Sequence, residues 1–165
     1  MSIELSTVGA AVRARREALG LSQTQLAHLS GLSRQTLSGL ESGKLRDLGF
    51  NRVAELLRVV GLNSPTPNKN ARSEKNGLWM AAKSASVSYR HELDPATLAR
   101  MLTTGQMPEQ YVAHMAHLFD EAPISVIVMA VEEAAQQNHV PPKKVWRNVS
   151  ALAKRLNSSR KMVLA

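Results

Sequence analysis

The chain has 165 residues, of which 44% are apolar, 21% charged and 4% aromatic, and it carries a formal net charge of +8. That length suits one domain of ordinary size or two small ones, and the composition is that of a globular protein. The absence of cysteine excludes disulfides, thiolate zinc sites and thiol catalysis, the scarcity of rings argues against stacking-based single-strand binding, and the positive charge favours a polyanionic partner.

Leu5, Val8, Val12, Arg16 and Leu19 recur at helical spacing, and Gly20 ends their helix. Ser22 is placed to cap a short helix running to about Ser30, stopped by Gly31. Ser33 caps the next, over residues 34–42, stopped by Gly43. A fourth helix spans residues 50–60, with Val53, Leu56, Leu57 and Val60 on one face and Gly61 beyond. Residues 64–77 contain two prolines and almost no apolar side chain, so residues 63–77 read as a polar linker between a domain at 1–62 and a module at 78–165.

The module also reads as helical. A helix is expected over residues 78–85, and the apolar–polar alternation of residues 87–93 predicts a short extended piece. Asp94-Pro95 opens a helix that ends before Gly105. Pro108 opens another, with Tyr111, Met115, Leu118 and Phe119 in register. Pro123 opens a third, with Ile124, Ile127, Val128, Val131 and Ala135 in register. Pro141-Pro142 opens the last, with Val145, Val149, Leu152 and Leu156, stopped by Asn157. Trp79 and Trp146 are expected to anchor the core. The predicted fold class is all-α, an N-terminal helical domain followed by a helical module with a smaller core.

The segment from Gln23 to Glu41 meets the four demands of two short helices crossing at a tight turn. Ala27 is small where the second helix crosses, Gly31 tolerates a positive φ, Leu37 and Leu40 face inward, and Ser33 caps the second helix. Arg16 lies on the apolar stripe of the first helix, and Glu41 follows Leu37 by four residues. A charge on an inner face is costly unless paired, so an Arg16–Glu41 ion pair is expected.

Residues 18–43, including Leu21-Ser22-Gln23, Gly31-Leu32-Ser33 and Leu40-Glu41-Ser42-Gly43-Lys44, resemble the lambda-repressor/Cro (XRE) family of helix-turn-helix regulators, over about residues 5–62. The resemblance, which includes the Arg16–Glu41 pair, implies a transcriptional repressor that binds double-stranded DNA. Its second helix would enter the major groove and present Ser33, Arg34, Gln35, Thr36 and Ser38. Arg34 suits guanine O6/N7 and Gln35 adenine N6/N7, while a phosphate contact is the equal alternative for Arg34. Gly39 departs from the larger polar residue common at its position. Gln23 resembles the family's phosphate-contacting glutamine, and Lys44 and Arg46 would reach the flanking backbone. One such domain reads few base pairs, so a homodimer on a near-palindromic operator is expected, with half-sites about 34–36 Å apart.

The module has no catalytic signature, and no enzymatic activity, cofactor or metal is expected. His114 and His117, followed by Asp120 and Glu121, are the nearest approach to a metal site, but solvated or capping histidines are the favoured reading. Glu132-Glu133 reads as a solvated face. Residues 140–165 hold seven basic groups and no acid, and the Lys143, Lys144, Arg147 cluster is either a solvated face or a site for an anionic partner. The domain layout resembles that of HipB-type antitoxins, which implies neutralisation of a cognate toxin and repression of the chain's own operon. The alternative is a stand-alone or phage-type repressor whose module only dimerises. With no apolar run of eighteen residues and no secretion signal, a cytoplasmic, nucleoid-associated protein without membrane contact is expected.

Overall fold

The computed structural model describes residues 4–62, 76–87 and 89–165. All regular structure among them is helical, in agreement with the predicted class. The chain divides into two compact units, Met1–Pro67 and Asn68–Ala165. The predicted linker lies mostly outside the described residues. At its end Gly77 is already helical and buried.

The first unit contains α1 (Leu5–Ala18), α2 (Gln23–Ser30), α3 (Arg34–Glu41) and α4 (Phe50–Val60). Ser22 forms a reciprocal capping box: its hydroxyl accepts from the Gln25 amide at 3.1 Å, and the Gln25 side chain accepts from the Ser22 amide at 2.9 Å. Gly31 takes a left-handed conformation with φ of 67°, which lets the Leu32 amide turn back to the Ala27 carbonyl at 2.9 Å. Ser33 then caps α3 by accepting from the Thr36 amide at 3.0 Å. Val12, Leu26, Leu37, Leu40 and Leu56 are sealed between the four helices, each contributing about 1.5–3 kcal/mol by burial. The crossing of α1 and α3 is close: a Cβ on Gly9 would stand 2.0 Å from the Leu40 carbonyl oxygen, so only glycine fits there. The composition of α1 does not announce this contact.

The second unit contains α5 (Gly77–Ser86), α6 (Pro95–Thr104), a 3-10 turn (Glu109–Tyr111), α7 (Val112–Glu121), α8 (Ile124–Gln137) and α9 (Pro142–Arg155). Asp94 accepts from the Thr97 amide at 2.9 Å with Pro95 in the first turn, so α6 begins where the Asp-Pro pair predicts. Pro108 opens the 3-10 turn rather than an α-helix, and the α-helix starts at Val112.

Three further expectations need correction. Residues 87–93 form turn and bend rather than an extended piece, with Ser88 outside the described residues. The Ser86 hydroxyl binds the Leu93 amide at 2.9 Å and closes that turn. Trp146 is buried, but Trp79 is 52% exposed and anchors no core, because α5 turns its alanines inward. Glu133 is not simply solvated. Its carboxylate accepts from the Leu78 amide at 2.9 Å and so caps α5 from α8.

Candidate nucleic-acid interface

The packing of the first unit sets which side of α3 faces water. With Leu37 and Leu40 buried, Arg34 and Gln35 stand exposed on the first turn, and Ser38 is partly exposed one turn further on. Among the described residues, neither Arg34 nor Gln35 has a side-chain hydrogen bond or ion pair within the protein, and the same holds for Lys44 and Arg46, which are exposed just beyond α3. Arg34, Gln35, Ser38, Gly39, Ser42 and Lys44 line one shallow, open depression along the helix. Ser42 is a member that the sequence reading does not single out, although its position four residues after Ser38 places it on that face. Gly39 leaves room there, since an added Cβ would meet only Leu45 at 3.8 Å.

Ser33 and Thr36 sit differently. Their hydroxyls lie 2.7 Å apart, and Ser33 is also engaged with the Thr36 amide, so both belong to the cap of α3. Whichever hydroxyl accepts in that contact keeps its own O–H for an outside acceptor.

At the inner side of α1 and α3, Arg16 meets Glu41, with Nε 2.7 Å from Oε1 and Nη2 3.0 Å from Oε2. A third donation runs from Nη1 to the Leu21 carbonyl at 2.9 Å. The bond to Glu41 holds the Arg16 guanidinium above its ordinary pKa. Gln23 donates its side-chain amide to Glu41 Oε2 at 2.9 Å. One amide hydrogen and the backbone N–H at the first turn of α2 remain for an outside acceptor.

In the second unit His114 and Asp120 of α7 have internal partners. His114 is buried with its Nε2 2.7 Å from the His91 carbonyl, and its ring stacks on Tyr89 at a centroid distance of 4.4 Å. Asp120 accepts from the Ser158 and Ser159 hydroxyls at 2.7 and 2.9 Å. His114, His117, Asp120 and Glu121 do not converge, and no group of three metal-capable side chains occurs among the described residues. No described helix is long and apolar enough to cross a membrane.

Two short helices, a glycine turn, an exposed polar face on the second helix and flanking cations define a helix-turn-helix DNA-binding domain. Residues 12–65 match the helix-turn-helix family, a span of less than half of the chain. The first unit is a lambda-repressor/Cro-like domain of that family, and the protein is a DNA-binding transcription regulator. No curated protein and no solved structure matches the chain.

Proposed function

We propose that the protein is a sequence-specific repressor that binds a near-palindromic operator as a homodimer. The observation that carries this reading is the row Arg34, Gln35 and Ser38: polar side chains held at fixed helical spacing, the two longest without an internal partner. Side chains that bond two groups of one base edge at once, as Arg can with guanine and Gln with adenine, discriminate bases in the major groove. Gln23, Lys44 and Arg46, with the polar groups of Ser33 and Thr36 at the helix end, position the domain on the backbone. In this role the chain performs no catalytic step, needs no cofactor and works in the cytoplasm on the nucleoid.

In the finer form of this reading, residues 1–62 recognise DNA and residues 78–165 hold a protein. That protein is a toxin encoded beside the chain, whose operon the antitoxin represses. Exposed apolar side chains on α5 support a protein-binding role for the second unit: Trp79 at 52%, Met80 at 38% and Val87 just beyond the helix at 78%. The test has two arms. Titration of a duplex from upstream of the chain's own gene, against random duplex, should show preference for the former; equal affinity would refute the repressor. Co-expression with the neighbouring gene should relieve that gene's toxicity. Undiminished toxicity would leave a stand-alone repressor whose second unit serves dimerisation.

A further inference from the structure

The last helix carries a second cationic surface that α3 does not use. One side of α9 is buried, through Val145, Trp146, Val149, Leu152 and Ala153. Its other side exposes Lys143, Lys144, Arg147, Lys154 and Arg155. At about 1.5 Å per residue these five cations extend over about 18 Å of helix axis. None has an ion-pair partner among the described residues, and residues 140–165 contain no carboxylate side chain. The remaining basic groups of this region are used internally. Arg160 donates to the Ala122 carbonyl at 2.6 Å, and Lys161 donates to the Asn157 side chain.

We infer that this face of α9 grips the sugar–phosphate backbone of duplex DNA, a second and sequence-independent contact of the same chain. Like charges one helical turn apart, such as Lys143 and Arg147, destabilise a helix by about 0.2–0.5 kcal/mol per pair, so helix stability does not account for the strip. Three kinds of anionic partner could. A lipid surface holds a basic helix firmly when an apolar side enters it as well, and the apolar side of α9 is occupied by the core of the unit. A protein interface is organised around aromatic or aliphatic anchors and is depleted in lysine. Beside these cations stand Ala151, the part-buried Ser150 and Asn148, whose amide is taken by the Leu102 and Thr103 carbonyls at 3.0 and 2.8 Å, and no aromatic or large aliphatic anchor. A phosphate backbone requires spaced Lys and Arg alone, and a duplex presents one negative charge per about 1.7 Å of its axis. The inference rests on the DNA-binding reading for the presence of the duplex. It adds that the second unit supplies affinity and salt dependence while α3 supplies discrimination.

The test replaces all five cations with glutamine in the full chain, alongside a three-site variant, Lys143→Gln with Arg147→Gln and Lys154→Gln. Affinity is read by fluorescence anisotropy on the upstream duplex and on a random duplex, between about 50 and 200 mM salt. The replaced groups are exposed, so far-ultraviolet circular dichroism should be unchanged. Both duplexes should lose affinity by the same factor, about tenfold or more at the lower salt. The slope of log K against log salt should shrink by about 0.9 for each phosphate no longer neutralised, with the three-site variant intermediate. Unchanged slopes on both duplexes would overturn the inference, as would a loss confined to the upstream duplex. Unchanged DNA binding with loss of a co-purifying acidic protein would overturn it too, and would assign the face to that protein. If the unaltered chain shows no preference between duplexes yet the variants lower both slopes, base reading by α3 fails and the contact through α9 stands.

Discussion

Arg16 of α1 grips Glu41, the last residue of α3, through two parallel bonds of 2.7 and 3.0 Å. The Glu41 side chain is 2% exposed and the Arg16 side chain 11%. Gln23, the first residue of α2, donates to the same carboxylate. One buried charge pair therefore joins three helices, and α3 cannot tilt against α1 and α2 without breaking charge-assisted bonds.

Glu41→Ala strands the arginine and should destabilise the first unit by about 3–5 kcal/mol, towards the lower figure because Arg16 keeps some contact with water. Gln23→Ala removes one of several bonds to the carboxylate and should cost about 1 kcal/mol. Urea unfolding of the full chain measures both. A Glu41→Ala midpoint equal to that of the unaltered chain would show that the pair contributes nothing to stability.

Two glycines within helices should respond in opposite directions. Ala is the better helix former by about 1 kcal/mol. At Gly9 that gain is outweighed by the collision of Cβ with the Leu40 carbonyl, and Gly9→Ala should lose about 1–3 kcal/mol. At Gly39 no atom stands in the way, and Gly39→Ala should gain about 0.5–1 kcal/mol. Thermal unfolding decides; a stabilised Gly9→Ala would mean that α1 and α3 do not cross so closely.

Asp120 ties the end of α7 to the residues after α9. The Ser158 hydroxyl above all, then the bonds from Ser159 and the charge of Arg160, hold its carboxyl below the usual carboxylate range. A depressed folded pKa stabilises above the unfolded value of about 3.9, and the contribution is lost as pH falls through the lower folded value. Asp120→Asn should therefore be less stable than the unaltered chain near neutral pH, and the difference should narrow below about pH 4. Acid titration of unfolding midpoints checks this, and a constant difference from about pH 7 down to about pH 2 would contradict it.

The legible parts of the fold are those set by signals a few residues apart. Ser22, Ser33 and Asp94 cap where expected because each hydroxyl or carboxylate binds an amide three residues on, and Gly31 and Gly61 stop helices because each adopts a positive φ. The outward face of α3 is legible for a similar reason, since Leu37 and Leu40 fix its orientation. Ser42 is harder to find, because it stands where the helix ends and Gly43 reverses the chain. Interactions between residues distant in sequence leave no such signal. Nothing near Gly9 points to Leu40, nothing near Glu133 points to the amide of Leu78, and the apolar character of Trp79 does not reveal which side of α5 meets α8. The alternation over residues 87–93 misleads because it reports the faces of a strand only where a partner strand exists.

The division between reading and positioning is tested most directly by comparing Arg34→Ala with Lys44→Ala. Each is titrated against the upstream duplex, against versions of it with single base pairs changed, and against random duplex, at one salt concentration. Arg34→Ala should lose about 1–3 kcal/mol of discrimination at one base pair, becoming indifferent to changes there. Lys44→Ala should weaken binding by a similar factor on every duplex and leave the ranking of sequences intact. If Arg34→Ala also weakened all duplexes equally, Arg34 would be a phosphate contact, and the account of α3 as a base-reading helix through this residue would be contradicted.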